Sequence, residues 1–532
     1  MTAEITRVGV IGLGTMGAGI VEVFAKAGLQ VIGVDGTQEL AERGRGFLQA
    51  STGRSVKRER ITEQEQHDLL DRVTWTVDYT ALADCDLIVE AVPERLEIKT
   101  SIFTELDGVV RADAVLASNT SSLSLTQIAA ATAHPHRVVG MHFFNPAPVL
   151  ALVEVITTVL SDDDVVRRVR DLAEDVGKKP VVVRDRAGFV ANALLITYLA
   201  RAIRMYETGH VSRADLDAAA KVGVGFPMGP LTLSDLIGLD VVKEVCDVLY
   251  DATHDPAAAP PALLQQLVAA GRLGRKTGSG FYDYEEPGSG AVVQARLPGG
   301  PHAAAYVVVI GDSAQASSLA DQIGSGGGSS VEWVSTHGAR DSLAGIEVVI
   351  LAGESGTISP DWVRDLVATM DAGSTLAVAA RGGSAATPSA PAGVNVVVLR
   401  THLQTRAGQL AEVLRPRAST DLQVLHKTLE AAGFVVSVGR LRAGGVLEAL
   451  LYPHLNDAAR MLDSGYATAA DIDTAMMAGC GYPEGPLAMI DRIGPAQVAA
   501  VLAVMRDETG EAALTPSPLL REHAVSGQPL HD

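Results

Sequence analysis

The chain has 532 residues, 47% of them hydrophobic and 20% charged, with 53 glycines and a formal charge of −20. That length exceeds a single core and predicts about three to five domains. The composition is that of a soluble α/β protein, and the acidic balance excludes a broad nucleic-acid or anionic-membrane surface, because phosphate binding runs on cationic side chains.

No run of eighteen apolar residues occurs, and no basic-then-apolar leader precedes the first strand, so a cytoplasmic protein is expected. Cys85, Cys246 and Cys480 are scattered without CxxC spacing, a pattern that supplies neither a disulfide framework nor a metal site.

The first elements alternate strand and helix. "RVGVIGLGTMGAGIVEVFAKAGLQVIGVD" carries an apolar strand at Val8 to Ile11 and glycines spaced GxGxxG at Gly12, Gly14 and Gly17. A helix to about Ala27, a stop at Gly28 and a second strand ending at Asp35 follow. Gly12 permits the tight turn, Gly14 lets a pyrophosphate approach the backbone, and Gly17 lets the helix pack on the strand. The anion is expected on the helix N-terminus. Asp35 suits ribose hydroxyls and repels a 2′-phosphate, so NAD is expected over NADP.

"STGRSVKRERIT" (51–62) gathers Arg54, Lys57, Arg58 and Arg60, as either a holder for a phosphorylated substrate handle or a solvated helix face. "CDLIVEAVPERLEIKTSIF" (85–103) reads as a buried strand, Leu87 to Val92, leading into a helix. Glu94 and Lys99 then either reach the cofactor from the strand's carboxyl end or form an exposed charge pair.

"AVLASNTSSLSLTQIA" (114–129) is a strand, a polar turn from Ser118 to Ser122, and a helix. "RVVGMHFFNP" is a strand ending in His142, and in "ALVEVI" Glu154 alternates with Leu152 and Ile156. The pattern leaves two readings of these polar residues: a catalytic pair, or a core histidine beside a glutamate on the solvent face of an edge strand. After a helix from Asp162 to Val176, a long helix begins near Gly188 with Asn192 in its first turn. Helix then follows helix to about Leu249, and "GRLGRKTGSGFYDY" (271–284) closes this all-α region.

The segments "VIGLGTMGAGI", "SNTSSLSL", "GMHFFNP", "LVEVI", "GFVANALL", "VGVGFPMGPLTLSDLIGLD" and "RKTGSGFYDY" resemble the L-3-hydroxyacyl-CoA dehydrogenase family, in the family's order and across residues 5–284. The resemblance implies NAD-dependent interconversion of an (S)-3-hydroxyacyl-CoA and its 3-ketoacyl-CoA, a reaction of fatty-acid β-oxidation. It implies His142 as general base, Glu154 as its partner, and Ser121 and Asn192 as substrate-orienting residues. Around NAD it implies Gly12, Gly14, Thr15, Met16, Gly17, Asp35, Glu94, Lys99 and Asn119, and near the coenzyme A handle Ser51 and Arg58. The chemistry agrees: oxidising a secondary alcohol needs a base for the hydroxyl proton, and histidine titrates in the right range.

The second half repeats part of the first. At a fixed offset of 256, segments 186–238 and 442–494 match at 25 of 53 positions, against roughly four expected from composition alone. "GFPMGPLTLSDLIG" returns as "GYPEGPLAMIDRIG", while Asn192 is replaced by Glu448. Residues 304–440 read as a degenerate α/β domain that retains Gly311 of the glycine triplet and a His402/Glu412 echo ten residues apart, without "FFNP".

The expected architecture is therefore an α/β Rossmann domain (1–185), an all-α domain (186–285), a linker (286–303), a degenerate Rossmann-like domain (304–440) and a second all-α domain (441–532). Glycine-serine and proline-rich stretches at 324–330 and 382–393 are expected as loops. This layout is similar to the fused-repeat hydroxyacyl-CoA dehydrogenases that act on 3-hydroxybutyryl-CoA or 3-hydroxyadipyl-CoA. One active site is expected in the first half, with the two all-α domains docked as an intrachain pseudo-dimer, alone or within a homodimer.

Two rivals stand beside this reading. Small β-hydroxyacid dehydrogenases share the opening "GLGxMG" but resemble one another in a catalytic helix lysine, and no lysine lies between Lys179 and Lys221. A non-catalytic protein that binds NAD or acyl-CoA is the other.

Overall fold

The computed structural model describes residues 5–290, 305–327, 329–335, 342–352, 360–379, 393–402, 404–416 and 421–531. Short apolar runs in the first half build an eight-stranded sheet. Its strands are β1 (Arg7–Ile11), β2 (Gln30–Val34), β3 (Val73–Thr76), β4 (Leu87–Glu90), β5 (Val115–Ser118), β6 (Val138–Phe143), β7 (Leu152–Thr157) and β8 (Lys179–Arg184). The order is β3-β2-β1-β4-β5-β6-β7-β8, parallel throughout except for β6 against β7. Successive strand residues point to opposite faces, so Val10 and Ile11 enter different cores. The strand order reverses between β1 and β4, and the crevice at their carboxyl ends is where such sheets take ligands.

Helices follow β8. The first, Ala191–Glu207, is preceded by a turn in which Phe189 takes a left-handed backbone at φ 46. Asp217, buried in the helix Arg213–Ala218, accepts the N–H groups of Leu231 (2.8 Å) and Thr232 (3.0 Å), so its carboxylate caps the helix Pro230–Ile237.

The second half holds a seven-stranded sheet: β9 (Ala305–Ile310), β10 (Ser329–Val334), β11 (Val348–Leu351), β12 (Thr375–Ala379), β13 (Asn395–Thr401), β14 (Gln409–Arg415) and β15 (Phe434–Arg440). Its order, β10-β9-β11-β12-β13-β14-β15, is that of the first sheet without a strand at the place of β3 among the described residues. Its one antiparallel pair, β13 with β14, also falls where β6 and β7 stand. The stretch 324–330, expected as a loop, differs: the helix Ala314–Ser325 runs into it, a turn through Gly327 follows, and β10 begins at Ser329. From residue 291 onward the expected linker lies outside the described residues, as does 382–392 of the proline-rich stretch.

The helix Leu447–Asp463 packs on Ala191–Glu207, and the contacts across this seam are reciprocal at the offset of 256. Tyr198 meets His454 with ring centroids 5.2 Å apart, and Phe226 stacks on Tyr482 at 4.1 Å. The backbone at Gly225 lies beside Pro483 and that at Gly481 beside Pro227. A Cβ on Gly223 would strike Leu410 of β14, and one on Gly479 would strike Leu152 of β7. Each helical unit thereby covers the far edge of the other unit's sheet: the helix Ala469–Cys480 lies on β7 and β8, and Asp215 accepts the N–H of Val438 in β15 at 3.0 Å. Among the described residues no single helix is long and apolar enough to cross a membrane.

His454 sits in the middle of the seam, 1% exposed, and burial pushes its pKa down to about 4. Between pH ~6.5 and ~4 the unfolded chain binds this proton and the folded chain does not, so stability falls as pH drops through that window, by about 3 kcal/mol from this group. In denaturant titrations His454→Phe should flatten the acid slope of the midpoint; an unchanged slope would remove His454 as its origin.

Candidate active site

Three turns meet at the carboxyl ends of β1, β4 and β5. The first joins β1 to the helix Thr15–Lys26. Gly12 has φ 85, and a Cβ there would strike the carbonyl of Ala91; one on Gly17 would overlap the Gly12 carbonyl oxygen. Nothing lies within 4 Å of the Gly14 position, so the turn is closed on its protein side and open at its tip. Gly14 caps the helix without a side-chain hydrogen bond, which leaves first-turn N–H groups free for an anion. Asp35, directly after β2, accepts the N–H of Leu13 at 2.7 Å and is half-buried beside the turn. Thr15 is exposed and Met16 half-buried on the helix's first turn. These residues fit a dinucleotide.

The second and third turns are held by charge. Lys99, expected against the cofactor or in solvent, is 1% exposed, and its ammonium is taken up by Glu90 at 2.7 Å and Glu94 at 3.3 Å. Glu94 in turn gathers the serine turn, accepting from Thr120 Oγ1 (2.7 Å), Ser121 N (2.8 Å) and Ser122 N (3.0 Å). Burial works against its charge, but the Lys99 ammonium and these donors outweigh it and hold the carboxyl below the ordinary glutamate range. Asn119 accepts the N–H of Phe143 at 2.8 Å, tying the end of β5 to the end of β6.

His142 and Glu154 are register partners across the antiparallel pair β6/β7. β7 lies inside the sheet and Glu154 is fully buried, so the solvent-face reading of this glutamate fails. Its Oε2 is 2.8 Å from His142 Nδ1, and its Oε1 accepts the N–H groups of Val190 and Ala191, both at 3.0 Å. The imidazole is packed by Phe144 (4.5 Å) and Phe189 (5.6 Å) and is 5% exposed. Nε2 makes no hydrogen bond among the described residues. Asn192 follows on the first turn of the same helix, half-buried.

The predicted residues thus fall into one crevice, with two exceptions. Ser51 is half-buried in the helix Gln38–Lys57 and hydrogen-bonded to Glu22, and Arg58 caps that helix from an exposed position with Arg54, Lys57 and Arg60. Two residues of the site escaped the sequence reading, Glu90 and Phe189. Glu90 ends an otherwise apolar strand run, and a lone carboxylate there is a signal, because an ion is buried only with partners. Phe189 stands where the repeat has Gly445, whose φ is 60. A bulky residue in a left-handed conformation costs about 1–3 kcal/mol and marks functional sites.

In the second half the expected echo is present, with His402 Nε2 2.9 Å from Glu412 Oε2, but at a different place in the sheet. By strand register β13 sets Arg400 opposite Glu412, so Arg400 occupies the place of His142, and His402 reaches the glutamate from the place of Phe144. Glu412 still accepts the N–H groups of Val446 (3.0 Å) and Leu447 (2.6 Å). Arg400 is nearly buried and pairs with Glu448 at 2.5 Å and Glu412 at 3.7 Å.

Comparison with known proteins agrees with this geometry. Residues 7–186 match the 3-hydroxyacyl-CoA dehydrogenase NAD binding domain, and the C-terminal domain of that family matches twice, at 188–284 and 444–529. A 3-hydroxyadipyl-CoA dehydrogenase of Escherichia coli is 32% identical over 99% of this chain and 98% of its own length. A 3-hydroxybutyryl-CoA dehydrogenase of Mycobacterium tuberculosis is 47% identical over 53% of this chain and all of its own. The crystal structure of a 3-hydroxybutyryl-CoA dehydrogenase from Escherichia coli superposes with a TM-score of 0.77 at 30% identity, covering 99% of this chain and 100% of that one. The chain belongs to the 3-hydroxyacyl-CoA dehydrogenase family of NAD-dependent oxidoreductases.

Proposed function

We propose that the protein interconverts short-chain (S)-3-hydroxyacyl-CoA and 3-ketoacyl-CoA, of the 3-hydroxybutyryl or 3-hydroxyadipyl type, at one site in its first half. The observation that carries this reading is the buried His142–Glu154 pair with Nε2 uncommitted. Glu154 keeps the proton on Nδ1 and stabilises the imidazolium, so Nε2 is the basic nitrogen that takes the C3 hydroxyl proton. Because Glu154 is anchored by two backbone N–H groups, the imidazole cannot follow the proton by swinging. Ser121, in the turn after β5, and Asn192, in the first turn of the helix after β8, donate to the 3-oxygen and the thioester carbonyl. NAD, held by Gly12, Gly14, Thr15, Met16, Gly17, Asp35 and Asn119, supplies the hydride acceptor. Lys99 and Glu94 serve the same crevice from within the wall, and Ser51 and Arg58 lie on the helix assigned to the coenzyme A handle.

The second half is a duplicate that has lost its chemistry, with domain boundaries at 185, 285, 303 and 440. Arg400 and Glu448 stand where His142 and Asn192 stand in the first half, a buried guanidinium offers no base, and His402 spends its Nε2 on Glu412 at 2.9 Å. The reciprocal contacts Tyr198/His454, Phe226/Tyr482 and Gly225/Pro483 with Gly481/Pro227 support an intrachain pseudo-dimer, since a two-fold interface pairs i with j and j with i. Free thiols at Cys85, Cys246 and Cys480 support a reducing, cytoplasmic setting.

Following absorbance at 340 nm with acetoacetyl-CoA and NADH should show turnover that falls about 10²–10⁴-fold in His142→Ala; turnover unchanged in that variant would sink the mechanism. Asp35→Ser should narrow the preference for NADH over NADPH by about tenfold or more, read as the ratio of kcat/KM values, and an unmoved ratio would remove Asp35 from the ribose. Calorimetric titration should give one NADH per chain. Two would contradict the single site.

A further inference from the structure

The strand end that escaped the sequence reading carries a buried ion pair, Glu90 with Lys99. Glu90 is fully buried at the end of β4, and four polar links converge on it. Its Oε1 accepts from Lys99 Nζ and Val92 N, both at 2.7 Å, and its Oε2 from Ser118 Oγ at 2.7 Å; its backbone carbonyl accepts Asn119 N at 2.7 Å. Burying a carboxylate and an ammonium is expensive, and their mutual attraction in the interior about offsets that cost rather than stabilising the fold.

The second sheet shows that the fold does not require this arrangement. β9 and β11 pair Ile310 with Leu351 as β1 and β4 pair Ile11 with Glu90, so Leu351 holds the place of Glu90. β11 and β12 pair Leu351 with Val378 as β4 and β5 pair Glu90 with Ser118, so Val378 holds the place of Ser118. With those two positions apolar, the same strand order and register form. The carboxylate is kept only in the half that also keeps the glycine triplet, the serine turn and His142.

The links run to both sides of the crevice. Through Val92 N, Glu90 fixes the backbone that lies against the Gly12 turn. Through Lys99 it fixes Glu94, which organises Thr120, Ser121 and Ser122. We propose that Glu90 is a positioning residue that sets the cofactor turn and the Ser121 turn in one geometry, acting through Lys99, Glu94 and Ser118. Its substrate-side half rests on the function proposed above. It touches neither substrate nor cofactor itself.

Two variants of the full chain test this. Glu90→Gln removes the charge and keeps the shape. The triple variant Glu90→Leu/Ser118→Val/Lys99→Met places the second sheet's residues at Glu90 and Ser118 and removes both fully buried ions together, leaving the half-buried Glu94 to its donors from Thr120, Ser121 and Ser122. NADH affinity is read by fluorescence, folding by the thermal transition, and kcat and KM with acetoacetyl-CoA. The triple variant should keep a cooperative thermal transition, bind NADH about tenfold more weakly and lose about 100-fold in kcat with KM for the thioester little moved, and Glu90→Gln should fall between it and the parent. A folded triple variant with NADH affinity and kcat both within about twofold of the parent would overturn the proposal. So would loss of its cooperative transition, since the carboxylate would then serve the fold. If the parent binds NADH but does not turn over acetoacetyl-CoA, the substrate reading fails, and NADH affinity in the two variants alone decides the role of Glu90.

Discussion

The carboxylate of Glu154 is the joint on which the first half turns. One oxygen holds His142 Nδ1 and the other holds the N–H groups of Val190 and Ala191, so a single buried anion connects the sheet to the start of the long helix. Helix N-termini leave such donors unpaired and favour a negative charge, which is why an ion can be kept there without solvent. The same residue therefore fixes the imidazole and the angle at which the helical unit leaves the sheet, and Asn192, two positions into that helix, is placed by the same bond. Glu412 makes the corresponding bonds to Val446 and Leu447 in the second half. The joint is therefore kept in a half whose register puts Arg400 in the place of His142.

The two halves together work as a natural control. Where the first sheet has Glu90, Ser118 and His142, the second has Leu351, Val378 and Arg400, and where the first helical unit has Asn192 and Phe189, the second has Glu448 and Gly445. Strand order and the capping of the helix Pro486–Ile493 by Asp473 are preserved through these changes, as Asp217 caps its counterpart. Backbone pairing and apolar alternation suffice for the fold, and the polar residues peculiar to the first half are an addition to it. Glu412 keeps a histidine partner, His402 Nε2 at 2.9 Å, while Arg400 lies 3.7 Å from it and takes Glu448 at 2.5 Å, so the buried charges there are also paired.

The seam ties the two halves to one another. Gly479 lets the helix Ala469–Cys480 approach Leu152, two residues from Glu154 on β7, and Gly223 makes the mirror contact with Leu410 on β14. The wall behind the His142–Glu154 pair is thus built from the second half. Close approach of this kind needs glycine because any Cβ would collide with the facing leucine.

Much of this was legible in the chain itself. The GxGxxG turn, Asp35, the "HFFNP" strand, Asn192 and the repeat at offset 256 follow from spacing, since local turn geometry and helical or strand periodicity depend on neighbours in sequence. What the sequence could not decide was which polar residues share a partner, because pairing depends on strand register and on contacts between residues far apart in the chain. Spacing matched His402 with Glu412, and the two do meet at 2.9 Å, but only the antiparallel register shows that Arg400 stands opposite that glutamate and that His402 reaches it from the place of Phe144. It left Glu154 open between solvent and core, and only the insertion of β7 between β6 and β8 buried it. It took Lys99 for a cofactor contact or a surface charge, and only the meeting of β4 with β5 enclosed it between Glu90 and Glu94. Residue types and local turns were thus determined by the sequence, while charge pairing was decided by the tertiary structure, because an ion's partner in a low-dielectric interior is whichever group the packing brings within about 3 Å.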